Sequence, residues 1–176
     1  MQQICNKNIK YIDYFDNKSA NRTLYKATIK LMRHAIKYGG NETLMLLNTD
    51  TKECMITSQQ YEISVSFTPL MYEKLNSNIR NNKYAVLHNH PYGGTFSYMD
   101  IVQFLRYPRI KILIACSNDC KQYFILYKTS TVNDLKLFEV SQKLERIIQK
   151  NNIEHDSFLP ILNQLEENGI DYAEYL

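Results

Sequence analysis

The chain reads as an α/β protein, and three observations predict it. Short apolar runs such as 44–47, 84–87 and 110–116 have the length of buried strands. Between them lie longer segments whose apolar residues recur at helical spacing. Two pairs of runs, 44–47 with 53–57 and 110–116 with 122–128, flank turn-forming residues, which predicts hairpins. At 176 residues, 44% hydrophobic and 22% charged, the chain suits one domain with a sizeable core. That domain is expected over 1–176, with its core at about 19–150 and an acidic helical appendage at 151–176.

Met1 to Lys18 is polar with scattered aromatics, Tyr11, Tyr14 and Phe15, and reads as an edge strand or a loosely held arm. Ser19 is a candidate N-cap for a helix to about Tyr38. Leu24, Ala27, Ile29, Leu31, Met32, Ala35 and Ile36 supply its apolar side, and Gly39-Gly40 stops it. His34 in that helix reads as a solvent-facing or capping residue. Glu42 stands at the lip of the run Leu44 to Leu47, and 53–57 returns as a second strand. Ile63 to Phe67 alternates as a half-buried strand does. Thr68-Pro69 then caps and opens a helix to about Asn81.

After the strand at Tyr84–Leu87, a helix is expected from Ser97 to about Leu105, ended by Pro108. Strands at 110–116 and 122–128 follow, joined by Ser117-Asn-Asp119. A long helix over about 132–151 presents Leu135, Phe138, Leu144, Ile147 and Ile148. The tail carries Asp156, Glu166, Glu167, Asp171 and Glu174 and predicts one further short helix that packs as a cap. His155-Asp156 reads as a surface pair, and no repeat, linker or heptad array interrupts the chain.

The net charge of +3 is mild and does not call for nucleic acid. No apolar run approaches the roughly 20 residues that cross a bilayer, and Met1 to Lys10 lacks the apolar core of a signal peptide. A cytoplasmic protein with free thiols at Cys5, Cys54, Cys116 and Cys120 is the expectation. Cys116 and Cys120 bracket a turn and read as small, partly buried residues.

The chemistry concentrates between His88 and Asp100. His88 and His90 are two apart on an extended run, so both imidazoles share one face and can share one metal ion. Gly93 and Gly94 let the chain turn, and Ser97 caps the next helix. Asp100 then falls in the first helical turn, where the helix dipole favours a carboxylate. Two imidazoles, one carboxylate and a water make a four-coordinate zinc site with an open position. A His-x-His pair alone is weak, since most such pairs are surface or hydrogen-bonding residues. Pro91 and Ser97-x-x-Asp100 sharpen the pattern.

The combined pattern, His88-Asn89-His90-Pro91 with Ser97-Tyr98-Met99-Asp100, resembles the JAB/JAMM (MPN+) metallopeptidase family. Its His-Asn-His-Pro form is similar to the prokaryotic branch, which includes RadC-type proteins and phage and toxin versions. Nine residues separate His90 from Asp100, where eukaryotic and RadC-type members commonly have ten. The resemblance covers about Glu42 to Lys128 and implies a mixed β-sheet flanked by helices, of the cytidine-deaminase-like kind. The family's upstream glutamate opens a strand, and Glu42-Thr-Leu-Met-Leu-Leu-Asn matches that segment. Glu53 and Glu62 open no apolar run.

The resemblance further implies a zinc ion on His88, His90 and Asp100, with Glu42 as general base and Ser97 as hydrogen-bond donor to the oxyanion. The implied activity is a metallopeptidase or isopeptidase acting on a protein or peptide, ubiquitin-like conjugates being the substrates of eukaryotic relatives. The alternative is a RadC-like DNA-associated, mobile-element or defence factor without peptidase activity. Lys74, Arg80, Lys83, Arg106, Arg109 and Lys111 would form its basic rim, but six such charges are also an ordinary surface. A scaffold that has lost catalysis is disfavoured by the complete set Glu42, His88, His90, Ser97 and Asp100. Asn89 points to the opposite face from the histidines, and holding the loop is its expected use.

Overall fold

Six strands join into one mixed sheet in the order β2-β1-β3-β4-β5-β6. The structure is a computed structural model and describes residues 18–57, 65–77, 83–151 and 165–175. Its elements in chain order are α1 (Lys18–Lys37), β1 (Leu44–Asn48), β2 (Cys54–Ile56), α2 (Pro69–Asn76), β3 (Tyr84–His90), α3 (Tyr98–Arg106), β4 (Ile110–Ser117), β5 (Tyr123–Lys128), α4 (Asp134–Asn151) and β6 (Ile170–Tyr175). β3 and β4 run parallel through the α3 crossover, while the other neighbours pair antiparallel.

The central strands read as unbroken apolar runs because both faces of the sheet are covered. On one face Val86, Leu113 and Leu126 pack with Phe104, Leu137 and Leu144 from α3 and α4. On the other, Met45, Leu87 and Ile114 pack with Leu24, Leu31 and Met32 from α1. Among the described residues, no helix is long and apolar enough to cross a membrane.

The structure departs from the sequence expectations at four places. Residues 65–67 carry no strand, and 63–64 lie outside the described residues. The helix expected to reach Asn81 ends at Asn76, with Ser77 as its C-cap; 78–82 lie outside. On α4 the expected face holds at Leu144, which is buried, but not in the first turns, where Leu135 is 79% and Phe138 45% exposed and Leu137 is buried instead; the side chains of Ile147 and Ile148 lie outside the described residues. Several stripes overlap in Leu-Lys-Leu-Phe, and only the partner α3 selects among them.

The acidic appendage is the fourth correction. After a short helical turn at 165–167, Ile170 to Tyr175 forms a sixth strand along β5 rather than helix. Ile-Asp-Tyr-Ala-Glu-Tyr alternates at the strand period, with Ile170 buried and Asp171 exposed. The N-terminal arm with Cys5, Arg80, Glu62 and the His155-Asp156 pair lie outside the described residues. Cys116 and Cys120 are buried thiols that form no disulfide, and His34 is half-buried against the Tyr38 ring.

Candidate metal centre

A short stretch, 88–100, supplies four of the residues of this site, and strand register brings in the fifth, Glu42. β3 carries His88 and His90 onto one face at its C-terminal end. β1 pairs antiparallel with β3, with Leu44 opposite His88. Two residues further out, that alternation sets Glu42 on the same face, across from His90. The chain turns through Gly93 and Gly94, both with positive φ, and enters α3. Ser97 caps α3: its hydroxyl accepts from Asp100 N, and the Asp100 carboxylate accepts from Ser97 N at 2.8 Å. This capping box turns Asp100 back toward the histidines.

Three atoms converge. His88 Nε2 lies 2.8 Å from His90 Nε2 and 3.5 Å from Asp100 Oδ2, and His90 Nε2 lies 3.9 Å from that oxygen. The circle through those three atoms has a radius of about 2.0 Å, so one ion can lie close to all three at zinc bond lengths of about 2.0–2.1 Å. Glu42 Oε1 stands 3.8 Å from His90 Nε2, and Glu42, His88 and His90 alone also form a compact set of ligand atoms. The residues therefore fit a small, borderline-soft divalent cation such as zinc.

The supporting bonds agree with that fit. His90 Nδ1 faces Gly94 O at 3.2 Å. The proton that donates this bond leaves the Nε2 lone pair directed at the site, the usual support for a metal-bound imidazole. Ser97 Oγ donates to Asp100 Oδ2 at 2.7 Å. The hydroxyl expected to meet an oxyanion is thus engaged with the ligand carboxylate in this conformation.

The electrostatics are those of a crowded, water-poor cluster. Burial pushes the Glu42 carboxyl up to about 7, the His88 charge opposing and the Asp100 charge adding to the rise. Burial alone would raise Asp100 as well. The charge of His88, hydrogen bonds from His88 and Ser97, and the charge of His90 outweigh it and hold Asp100 well below the carboxylate range. Burial resists a charge on His88, yet the Asp100 charge and hydrogen bond, helped by Glu42, hold its pKa above the ordinary value. Metal-free, the raised pKa of His88 favours a proton held between it and Asp100; a cation would take that proton's place.

All five residues singled out by sequence come together at this end of the sheet. Among the described residues, the basic rim does not join them. Lys83 and Arg109 flank the starts of β3 and β4, about 20 Å from His90 along the strand. Arg106 pairs with Glu145, Arg109 donates to Lys74 O and Ser77 Oγ, and a surface cavity lined by both arginines lies at that same far end. What sequence reasoning missed is Asn118, whose amide donates to Gly40 O at 2.7 Å. As a turn residue 29 positions beyond Asn89, it gave no local signal. The chain matches no protein-family model, no curated protein and no solved structure.

Proposed function

We propose that the chain is a zinc-dependent amide hydrolase of the JAB/JAMM kind, with His88, His90 and Asp100 holding the metal. The observation that carries this reading is the triangle of ligand atoms, with a circle of about 2.0 Å, set beside the Glu42 carboxyl. Bound there, zinc supplies Lewis-acid chemistry, bringing the pKa of water toward about 7 and polarising a carbonyl.

The chain's own residues do the rest. Glu42 takes a proton from the attacking water and returns it to the leaving amine. Its metal-free pKa of about 7 suits that exchange near neutrality, and beside a bound cation the carboxyl would be held more firmly ionised. Ser97 holds Asp100 in place; turned toward the substrate, its hydroxyl donates to the oxyanion. His90 keeps its tautomer through Gly94. The substrate class is an amide in a peptide or in an isopeptide-linked, ubiquitin-like conjugate.

Elemental analysis of the wild type, His88→Ala and Glu42→Gln tests this. About one zinc per wild-type chain, lost in His88→Ala and kept in Glu42→Gln, is expected, as befits one metal held by ligands that exclude Glu42. No zinc in the wild type after zinc is supplied would end the metallohydrolase reading. Zinc lost from Glu42→Gln as fully as from His88→Ala would make Glu42 a ligand rather than the base. The zinc-loaded Glu42→Gln protein then serves as the inactive control for peptide and ubiquitin-like conjugate substrates.

A further inference from the structure

We propose that Asn89 is the positioning residue for Glu42, with Asn118 bracing it from behind. The inference rests on the metallohydrolase reading for its consequence, but its geometry stands apart from any metal. Asn89 sits between the two histidines and is fully buried on the opposite face of β3. Its Oδ1 accepts from Thr43 N at 2.8 Å. Its Nδ2 donates to Asn41 O at 3.1 Å and to Asn118 Oδ1 at 2.7 Å. Asn118 Nδ2 in turn donates to Gly40 O.

One carboxamide therefore grips the chain immediately before and immediately after Glu42. The fixed backbone groups leave only one arrangement of the two amides. Thr43 N–H can only donate, so it must meet an oxygen; Asn41 O and Gly40 O can only accept, so each must meet an NH2. Asn118 is then left with its oxygen facing Asn89, which has its second N–H to give. Every polar atom of the pair is used, in a buried setting where an unmet one is costly.

The consequence is mechanical. Glu42 precedes β1, outside the regular ladder, and α1 ends at Lys37 in two positive-φ glycines. Without the clamp, the segment 40–43 would be held on this side of the sheet chiefly by the Asn89 N to Thr43 O bond at 3.3 Å and by Gly40 N to Ala35 O. The same residue whose neighbours carry the imidazoles thus fixes the base relative to them, and β3 sets both halves of the site. An aspartate at position 89 keeps the shape but turns the Nδ2 donor into an acceptor facing Asn41 O and Asn118 Oδ1.

The test uses the full chain loaded with cobalt(II), whose visible absorption reports the groups around the ion. Asn89→Asp, Asn118→Ala, Glu42→Gln and the double variant Asn89→Asp with Glu42→Gln are compared with wild type. The expected result is full cobalt occupancy throughout, with Asn89→Asp and Asn118→Ala shifting the band as Glu42→Gln does. The double variant then shows no further shift, because Asn89 acts only through Glu42. A band that Glu42→Gln shifts and Asn89→Asp leaves alone, or shifts that add in the double variant, would overturn the proposal.

Amide hydrogen exchange at Thr43 in the metal-free protein reads the clamp itself. Roughly tenfold faster exchange in Asn118→Ala is expected, the size of one weakened buried hydrogen bond. Unchanged exchange would overturn the clamp whatever the metal does. If wild type takes up no cobalt or zinc, the hydrolase reading falls, and Thr43 exchange alone decides whether Asn89 holds the 40–43 segment. Asn118→Ala also covers the case in which Asn89→Asp does not fold, since Asn118 lies in a half-buried turn.

Discussion

Replacing Glu42 by Gln should stabilise the metal-free protein, and only above about pH 5. Burial raises this carboxyl from 4.5 to about 7. A carboxyl whose pKa is higher folded than unfolded holds its proton more tightly in the native state. Its stabilising share is complete below the unfolded value and is lost as pH rises through the folded one. The difference between those values corresponds to about 3 kcal/mol lost between pH 4 and pH 8. At 8% exposure, solvent screens little of it. His88, also raised, contributes in the same direction, its share fading as pH climbs through its folded pKa. Asp100 is depressed, so its stabilisation is present above the ordinary carboxylate range and is lost only in acid. Metal-free wild type should therefore weaken from pH 5 to 8. Glu42→Gln, which mimics the neutral acid, removes about 3 kcal/mol of that decline and trims the His88 share, which Asp100 still sustains. For a chain of this length the gain at pH 8 amounts to roughly 6–12 °C in Tm. Thermal unfolding in chelator, followed by circular dichroism across that range, measures it. Zinc should reverse the trend, because its ligands must be deprotonated. Wild type and variant curves that run parallel from pH 5 to 8 would refute the burial argument.

Two further outcomes check the fold that carries the site. Lys128 is buried, and its Nζ donates to Phe104 O at 2.7 Å and Tyr107 O at 2.9 Å, closing the C-terminal end of α3. Lys128→Met keeps the volume but leaves both carbonyls unmet, so urea unfolding should report a loss of about 2–4 kcal/mol; an unchanged midpoint would show that water reaches them. On α4, Leu137→Ala should cost about 2–4 kcal/mol and Leu135→Ala under about 0.5, and the reverse order would mean that the helix is rotated from the face described.

The local devices were legible in the chain, and the long-range ones were not. Ser97 and Asp100 announced a capped helix because a cap works within three residues, and the structure forms that capping box. His88 and His90 announced a shared face because strand alternation is equally local. Glu42 is different. Its place beside His90 depends on β1 pairing with β3 in the register Leu44 to His88, and nothing within 42–48 encodes that partner; only the resemblance pointed to it. The same limit hid β6. Ile170 to Tyr175 alternates, but its acidic composition reads as surface helix until β5 offers an edge. It also hid the phase of α4, which is chosen by packing against α3.

The position of the candidate centre follows from one topological fact. β3 and β4 are the parallel pair of the sheet among the described residues, and a parallel pair needs a crossover, here α3. The crossover returns the start of α3 to the C-terminal end of β3, bringing the capped end of a helix beside the last residues of a strand. β1 lies on the other side of β3 and runs antiparallel, so its N-terminal approach, carrying Glu42, reaches that same end. Two neighbouring segments and a distant third thus meet where the strand direction changes, the place at which open α/β sheets hold their ligands. Because β3 pairs with β1 and leads through a short loop into α3, a change on β3 that spares the imidazoles can still displace Glu42 from them. Among its residues, Asn89 reaches the segment around Glu42 with its side chain from the face opposite the histidines, so a substitution there tests the placement of Glu42 without altering the imidazoles.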